Sequence, residues 1–319
     1  MQNISIYNKY IKTGSIKSNQ IYFSKHNHKK FKNEKFESFF RVNNSFDNNP
    51  IIKEGGKRVK NLCRKSFKNK PLITIVTVVL NNAKELETTI KSVILQNYSN
   101  LEFIIIDGGS SDNTISVIKK YENHIDYWVS QKDRGIFDAF NKGLRLSSGD
   151  YICILNSGDY FTENSINFIV KKILEKKDLD ILFGTVLKKK KFSGFDPNKI
   201  FFRLNIIPSL MSTFVKLSIY KEIGLFDTNL VNYSDYDFFY KCIKKKDIKW
   251  YATKKNKVIT VFDLKGYSSK VSFFSKLYAE YKIRIKYENF LLVFFKLLAK
   301  TLRYIQIKLF LKKKFSNYN

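Results

Sequence analysis

Short apolar runs alternate with helical patterns from residue 72 onward, and this alternation constrains the fold more than any other feature. The runs Leu72–Leu80, Leu101–Ile106 and Tyr151–Leu155 have the length and apolar composition of buried strands. Between the first two, apolar residues recur at the spacing of one helical face from Leu86 to Ile94. Strands and helices in this order form βαβ units with right-handed crossovers. The sequence therefore predicts an α/β fold with a mostly parallel central sheet flanked by helices.

The texture of the sequence divides the chain into three segments. Residues 1–70 are rich in Lys, Asn and Ser, and we interpret them as an N-terminal extension, partly disordered or draped over the main domain. Residues 71–270 form the predicted α/β domain, and residues 271–319 form a helical tail. The later elements predicted in the domain are helices over 165–176, 216–223 and 235–245, strands over 181–187 and 258–262, and an irregular stretch over 188–215.

The chain is strongly basic, with 58 Lys and Arg against 28 Asp and Glu and a formal net charge of +30. The cations are nearly all Lys and are spread along the chain, without a recognition helix, zinc-ligand spacing or aromatic RNA-binding motif. Nucleic-acid binding is therefore the least supported hypothesis. The charge does favour anionic surfaces and phosphate-bearing ligands. The three cysteines are far apart and odd in number, which fits a reducing cytoplasm.

The tail has a basic amphipathic pattern. Lys296, Lys300 and Arg303 share one helical face, whereas Phe294 and Leu298 lie on others. Such a pattern is typical of a helix that lies in a membrane interface. We predict neither a signal peptide nor a transmembrane helix, and expect a cytoplasmic protein bound peripherally to the inner face of the cell membrane. The alternative is a helix that packs its apolar face on the domain or on a partner chain.

Polar clusters follow three of the predicted strands. They are Asp107-Gly108-Gly109-Ser110-Ser111-Asp112, Asp133-Arg134-Gly135 and Asn156-Ser157-Gly158-Asp159. Each alone has the composition of a turn or a helix cap. In a parallel sheet, however, the carboxyl ends of successive strands meet at one edge, where ligands bind. We therefore expect the three clusters to converge on one site.

The motifs resemble those of the family 2 glycosyltransferases, which have the GT-A fold. The stretch ITIVTVVLNNAKELETTIKSVILQNYSNLEFIIIDGGSSDNT matches the opening of the family, and KDRGIFDAFNKGLRLSSGDYICILNSGDYF its next block. GLFDTNLVNYSDYDFFYK resembles the acceptor-side block, and DLKGYSSK, over 263–270, a later loop. The resemblance covers roughly residues 71–270. It is greatest to the subgroup that builds bacterial exopolysaccharide and lipopolysaccharide, with capsule synthesis a related role.

The resemblance implies a site for a nucleotide-sugar donor, most simply a UDP-sugar. The positions that match donor-binding positions of the family are Thr77, Val79, Asn81, Asp107, Gly108, Asp133, Arg134 and Asn156. Asp107 is expected to contact the nucleobase or ribose. Arg134 is expected to pair with the diphosphate, the alternative being a structural salt bridge.

The resemblance also implies a divalent cation, Mg²⁺ or Mn²⁺. The family's metal motif is Asp-x-Asp, and its two aspartates fall here on Asn156 and Gly158, with Asp159 just beyond. Only one carboxylate remains, and Mg²⁺ tolerates this because it binds through one or two carboxylates plus substrate phosphates and water. Asp159 is the predicted metal ligand, with Asn156 supporting it.

The reaction implied is inverting transfer of a hexosyl or N-acetylhexosaminyl group to a hydroxyl of a saccharide or lipid-linked acceptor in bacterial surface polysaccharide synthesis. Asp235 matches the family's catalytic base, which takes the proton of that hydroxyl. Asp237 ranks second, and the alternative for Asp235 is a helix-capping acid. A non-catalytic, glycosyltransferase-like protein that binds glycans or scaffolds an assembly complex is the competing hypothesis, because Asn156 and Gly158 replace acids.

Overall fold

The structure, a computed structural model, describes residues 51–188, 191–193, 209–230, 233–245, 247–254, 256–262 and 272–316. The predicted disorder of the extension over 1–50 and the family-like loop over 263–270 lie outside the described residues. Numbered in chain order, the strands are β1 Lys53–Gly55, β2 Ile73–Val79, β3 Leu101–Asp107, β4 Tyr127–Ser130, β5 Tyr151–Ile154, β6 Tyr160–Phe161, β7 Ile181–Phe183, β8 Thr185–Lys188, β9 Lys191–Ser193, β10 Thr213–Lys216, β11 Trp250–Ala252 and β12 Val258–Val261. The helices are α1 Ala83–Ile94, α2 Thr114–Lys120, α3 Ile136–Leu146, α4 Ser165–Glu175, α5 Leu217–Ile223, α6 Ser234–Lys244, α7 Phe273–Arg284 and α8 Phe290–Ser316.

The described strands form a central sheet of eight in the order β1-β4-β3-β2-β5-β10-β7-β11. Only β1 and β10 among them run antiparallel to their neighbours. A smaller sheet, β6-β12-β8-β9, lies beside it. The predicted α/β fold with a mostly parallel central sheet and a C-terminal helical extension is confirmed.

Strands β2 and β3 are buried along their whole lengths, so both faces of the central sheet are covered. Alternate side chains of a strand point to opposite faces. Ile75 therefore packs in one core with α1, α2 and α4, and Val76 in a second core with α3, α5 and α6. Burial of each large apolar side chain contributes about 1.5–3 kcal/mol, so the buried stripe of α1, Leu86, Ile90 and Val93, fixes that helix firmly on the sheet.

Most of the predicted elements are confirmed to within a residue at either end. The predicted strand over 181–187 is found as two strands, β7 and β8, because the chain passes from the central to the smaller sheet at Gly184. The Gly184 N–H donates to the Ser212 carbonyl at 2.8 Å, and a Cβ there would lie 2.8 Å from Cγ1 of Ile259. The stretch predicted as irregular over 188–215 contains most of β10, which pairs with β5 and β7.

Residues 51–70 lie against the domain. Strand β1 pairs with β4 and adds an edge to the central sheet. Arg58 forms an ion pair with the buried Glu102, and Arg64 Nε lies 2.8 Å from Asp126 Oδ1. These two ion pairs hold the segment between β1 and β2 on the domain.

At the other end of the chain, α7 and α8 form an antiparallel hairpin. The rings of Phe273 and Tyr304 stack with centroids 3.8 Å apart. Lys296 pairs with Glu288 at 2.8 Å, and Lys300 pairs with Glu280. Both lysines are therefore paired with acids of the hairpin. Among the described helices, none combines the length and the hydrophobicity needed to span a bilayer.

Candidate functional site

The carboxyl ends of β2, β3, β4 and β5 lie side by side, and this carboxyl edge of the sheet is the candidate site. In register, Val79 pairs with Asp107, and Asp107 with Ser130. The loops beyond the strands also touch, since Asn82 Nδ2 donates to Ser157 Oγ at 3.1 Å. The three predicted strand-end clusters are therefore neighbours.

Asp107 is fully buried, and the surrounding loop satisfies its carboxylate. Its Oδ2 accepts hydrogen bonds from the N–H groups of Gly109 at 3.2 Å and Ser110 at 3.0 Å, and from Ser130 Oγ at 2.6 Å. Its Oδ1 accepts from Ser110 Oγ. The carboxylate thus shapes the loop after β3. Its predicted contact with the nucleotide stays a prediction.

Gly108 and Asp133 meet where the loops after β3 and β4 approach each other. A Cβ on Gly108 would lie 2.3 Å from Asp133 Oδ2, so the Asp133 carboxylate would have to move to admit any other residue. Asp133 Oδ1 accepts from the Gly135 N–H at 3.0 Å. Burial raises the pKa of the Asp133 carboxyl, and the nearby carboxylates of Asp138 and Asp107 add to the rise. Cationic groups close to this site would therefore meet a cluster of acids.

Two cations flank Asp138 in the first part of α3. Arg134 Nη2 lies 3.5 Å from Asp138 Oδ1, and its side chain is 60% exposed. Lys142 Nζ lies 3.4 Å from Asp138 Oδ2 and donates to the Lys132 carbonyl at 2.9 Å, with its side chain 3% exposed. Sequence reasoning missed Lys142, although an acid and a lysine four residues apart on one helix are a recognisable pair.

The residues predicted from the end of β2 differ in their exposure. Thr77 is fully buried, with no hydrogen-bond partner for its hydroxyl, and Val79 is buried beside it. Asn81 is exposed and joins two loops. Its N–H donates to Ser110 Oγ at 2.8 Å, and its Oδ1 accepts from the Ser111 N–H at 2.8 Å. Asn81 alone of the three reaches the outer surface of the carboxyl edge.

The Asn156–Asp159 segment is a tight turn. The Asp159 N–H donates to the Asn156 carbonyl at 3.0 Å, and Gly158 between them has a φ of 100°. Thr89 of α1 secures the turn from below, because its Oγ1 accepts from the Gly158 N–H at 2.9 Å and donates to the Asp159 carbonyl at 2.8 Å. A positive φ strains any residue with a Cβ. This backbone therefore explains why glycine stands where the resemblance expects an aspartate.

The oxygen atoms of this turn are the donors available to a cation. Asn156 Oδ1 is buried and has no hydrogen-bond partner, whereas Asp159 is 3% exposed. Within the described ranges, no group of three or more His, Cys, Asp or Glu side chains is placed to bind a metal. Mg²⁺ and Mn²⁺ accept amide and carboxylate oxygens and complete their coordination with phosphate and water. The donor set fits a cation held jointly with a ligand.

Two exposed aliphatic side chains, missed by sequence reasoning, flank the glycine pair after β3. Leu80 is 56% exposed and its Cδ1 lies 3.5 Å from where a Cβ on Gly108 would be. Ile52 is 57% exposed and its Cδ1 lies 3.6 Å from the corresponding point on Gly109. Together they form an apolar shelf at the carboxyl edge. The position of Leu80 beside Asn81 was a usable signal, but nothing in the sequence around Ile52 predicts its place.

Asp235 lies in the first turn of α6 and is partly buried. Tyr233, with a φ of 72°, turns the chain into the helix, and the Tyr236 N–H donates to Asp235 Oδ1 at 2.9 Å. Burial raises the pKa of the Asp235 carboxyl from 3.8 to about 6, more than this hydrogen bond lowers it. The adjacent Ser234 hydroxyl is buried without a hydrogen-bond partner. A carboxyl of this kind can exchange a proton near neutral pH.

The topology brings Asp235 to the same edge as the strand-end loops. Helix α6 ends at Lys244 and leads within a few residues into β11, which is parallel to β7. The helix must therefore run back along the sheet, with its first turn at the carboxyl edge. Asp237 is 1% exposed and is engaged by Lys241 Nζ at 2.7 Å and by the Tyr287 hydroxyl at 3.2 Å. Its contacts are those of a structural group, unlike those of Asp235.

Comparison with known proteins gives relatives of one kind. An uncharacterized glycosyltransferase of Mycobacterium tuberculosis is 38% identical over 93 residues, 29% of this chain and 36% of that protein. One of Rickettsia typhi is 26% identical over 193 residues, 56% of this chain and 60% of that protein. A PGL/p-HBAD biosynthesis glycosyltransferase of Mycobacterium bovis is 24% identical, over 54% of this chain and 70% of that protein. The chain thus spans about a third to three fifths of the first two relatives.

Solved structures share the fold. TarS of S. aureus in complex with UDP-GlcNAc has a TM-score of 0.54 at 14% identity, with 72% of this chain and 71% of that chain covered. A mannosyltransferase of Pyrobaculum calidifontis in complex with GDP-Man and Mn²⁺ has a TM-score of 0.54 at 17% identity, with 73% and 70% covered. The predicted GT-A type fold is confirmed. The family model for glycosyl transferase family 2 matches residues 74–249, which is more than half of the chain. On these grounds, the chain belongs to glycosyltransferase family 2.

Proposed function

We propose that the protein transfers a sugar, with inversion, from a nucleotide-sugar donor to an acceptor hydroxyl. The observation that carries this proposal is Asp235, a partly buried carboxyl whose pKa is raised to about 6, on the same sheet edge as the strand-end loops. A base that titrates near the working pH is the requirement for activating a hydroxyl. The donor is a UDP-sugar in this proposal, and UDP-GlcNAc is the ligand of the structurally similar TarS.

The donor lies along the loops after β3 and β4. Its base rests on the apolar shelf of Ile52 and Leu80, beside the Gly108–Gly109 backbone. Arg134 and Lys142 stand on the phosphate side, and their charges attract the diphosphate.

A divalent cation would be held by Asn156 and Asp159 together with the diphosphate. When bound, it supplies positive charge that stabilises the leaving nucleoside diphosphate. The similar mannosyltransferase of Pyrobaculum calidifontis has Mn²⁺ with GDP-Man, which supports this assignment. The protein's own share of that stabilisation comes from Arg134 and Lys142.

Asp235 acts as the base on the acceptor side. Its carboxylate takes the proton of the acceptor hydroxyl as the oxygen attacks the anomeric carbon. The bond from that carbon to the diphosphate oxygen breaks on the opposite face, and the nucleoside diphosphate leaves with the electron pair. Attack and departure on opposite faces invert the anomeric configuration. Asp235 must be ionised for this step, so activity rises as the pH passes its pKa.

The acceptor in this proposal is a saccharide or a lipid-linked saccharide of a bacterial surface polysaccharide, and transfer takes place at the inner face of the cell membrane. The support is the bacterial origin of the relatives, one of which is named for PGL/p-HBAD biosynthesis. A non-catalytic, glycan-binding role is the second candidate, favoured by the lack of a carboxylate at Gly158, where a φ of 100° disfavours any side chain.

The test is turnover of a donor panel by the purified protein. UDP-glucose, UDP-GlcNAc and GDP-mannose are supplied with Mg²⁺ or Mn²⁺, and release of the nucleoside diphosphate is followed. We expect the wild type and Asp247→Asn, whose exposed carboxyl lies just beyond α6, to turn over at least one donor. Asp235→Asn should bind that donor without turning it over. A folded wild type that binds no donor refutes the proposal, and a wild type that binds donor without turning it over favours the non-catalytic role. Equal turnover by Asp235→Asn refutes Asp235 as the base.

A further inference from the structure

Helix α8 has one buried apolar face and one exposed apolar face. One packs against the protein through Val293 and Leu297, which are at most 9% exposed, and through the stacked ring of Tyr304. The other presents large apolar side chains, each 42–62% exposed, to the outside. At helical spacing they are Phe290, Leu291, Phe294, Phe295, Leu298, Leu302 and Ile305. A soluble helix that packs on its own domain buries such residues, so this outer face is left for another surface.

The charges around this outer face have one sign. The segment 272–316 contains two acids, Glu280 and Glu288. Arg284 lies between them, with Nε 2.8 Å from Glu280 and Nη1 2.9 Å from Glu288. Lys296 and Lys300 complete the network. Both acids therefore form ion pairs within the hairpin, and the remaining charged groups of the hairpin are cations.

Further cations of the hairpin are exposed. They are Lys282, Arg303 and Lys286, whose Nζ lies 4.0 Å from Asp237 Oδ1. The sequence adds Lys308 and the run Lys312–Lys314 toward the end of α8, without an acid. A helix with a wide apolar face and bordering cations suits the headgroup region of an anionic bilayer. Two copies of this surface would bring cations against cations, which disfavours self-association.

The hairpin is attached to the helix that carries Asp235. The Tyr240 hydroxyl of α6 donates to Glu288, and the Tyr240 ring stacks on Tyr287 with centroids 5.2 Å apart. The Arg284 guanidinium lies 5.7 Å from the ring of Tyr236, the residue whose N–H holds the Asp235 carboxylate. A surface bound to the hairpin is therefore coupled to the acceptor side of the site through two layers of side chains.

We propose that the α7–α8 hairpin docks on an anionic lipid bilayer through the outer apolar face of α8, with the helix lying in the plane of the interface. Because the same hairpin holds α6, the docked protein presents Asp235 to a hydroxyl carried at the lipid surface. The acceptor part of this inference rests on the proposed function, whereas the lipid contact does not. The surface also defines which residues bind the membrane: the Phe294 face, and not the inward Lys296 and Lys300.

The test measures binding of the full chain to vesicles of phosphatidylcholine mixed equally with phosphatidylglycerol. In the test variant, Phe294→Gln and Leu298→Gln are combined. In the matched control, Leu95→Gln and Leu174→Gln change two exposed leucines, one directly after α1 and one on α4. We expect the test variant to lose about a hundredfold in partition coefficient, since burial of each side chain is worth roughly a factor of ten. The control should bind as the wild type does, and high salt should weaken wild-type binding.

Other results overturn the proposal. An unchanged partition coefficient in the test variant does so, as does equal wild-type binding to vesicles of phosphatidylcholine alone. A wild type that is dimeric by light scattering, with a monomeric test variant, shows instead that this face joins two copies. Donor turnover in solution distinguishes failure of the lipid-docking proposal from failure of the proposed function. A test variant that loses vesicle binding but turns over donor supports the inference, and a wild type that binds vesicles but no donor refutes only the proposed function.

Discussion

Replacing Asp235 by Asn should abolish turnover and at the same time stabilise the protein. Burial holds the pKa of this carboxyl at about 6 instead of 3.8, so the folded state resists its ionisation. At neutral pH the carboxylate is nevertheless ionised, and folding bears the cost. An amide of the same shape removes that cost and still accepts the hydrogen bond that the Tyr236 N–H now donates.

The size and the sign of this change in the free energy of unfolding follow from the pKa of Asp235 in the unfolded and folded states. Each pKa unit corresponds to about 1.4 kcal/mol, so a rise from 3.8 to about 6 amounts to ~3 kcal/mol. The folded state binds the proton more tightly than the unfolded state, so this contribution to stability is present in full below pH 3.8 and is lost as the pH rises to about 6. Partial exposure of Asp235 to solvent makes the ~3 kcal/mol an upper bound.

The assay is urea unfolding of wild type, Asp235→Asn and Asp247→Asn across the acid range, followed by circular dichroism. We expect Asp235→Asn to exceed the wild type by up to ~3 kcal/mol above pH 6 and to equal it near pH 3.5. Asp247→Asn should stay within about 0.5 kcal/mol of the wild type throughout. A stability gain that does not depend on pH, or a loss at pH 7, refutes the assigned electrostatic cost.

Three further changes test other parts of the structure. Gly158→Asp places a Cβ at a φ of 100°, and should lower the free energy of unfolding by about 1–2 kcal/mol without tightening cation binding; unchanged stability would contradict the turn geometry. Ile52→Asn combined with Leu80→Asn should weaken UDP binding about tenfold by calorimetry, whereas the control Ile51→Asn should bind UDP as the wild type does. Equal UDP affinities of the double variant and the wild type would contradict a contact between the base and the apolar shelf. Arg284→Gln removes the buried cation that pairs with both acids of the hairpin and leaves each acid with one lysine, so it should cost up to about 3 kcal/mol in urea unfolding, whereas Arg284→Lys should cost less; equal losses would mean that shape, not charge, matters there.

The elements that the sequence predicts well are those whose signal is local. Strand β2 is a continuous β-branched run, and α1 shows a full apolar stripe, so both appear where expected. Strand β10 was missed because its four residues are too short for a period, and its place depends on pairing with β5 and β7. The change of sheet at Gly184 depends on contacts with Ser212 and Ile259, which lie far away in sequence.

In the candidate site, too, local features could be predicted from the sequence, and features that depend on distant contacts could not. The order of strand-end clusters indicated the carboxyl edge, and the structure brings those loops together. The resemblance matched Thr77 to a donor-binding position, whereas Thr77 is fully buried within β2, as the apolar run around it indicated. The sequence did not indicate that Lys296 and Lys300 turn inward, since helical periodicity gives relative faces but not which face meets the glutamates of the hairpin.

The role of Asp235 as the base is tested by the pH dependence of donor turnover. Release of the nucleoside diphosphate is measured from pH 4.5 to 8.5 with donor and acceptor well below saturation, so that the rate follows kcat/KM, for wild type and Asp247→Asn. We expect a rate that rises tenfold per pH unit and levels off above an inflection near 6, the pKa of Asp235, in both proteins. Asp235→Asn should show no such rise. The same inflection in Asp235→Asn, or a wild-type rate that is flat across this range, would contradict the assignment of Asp235 as the base.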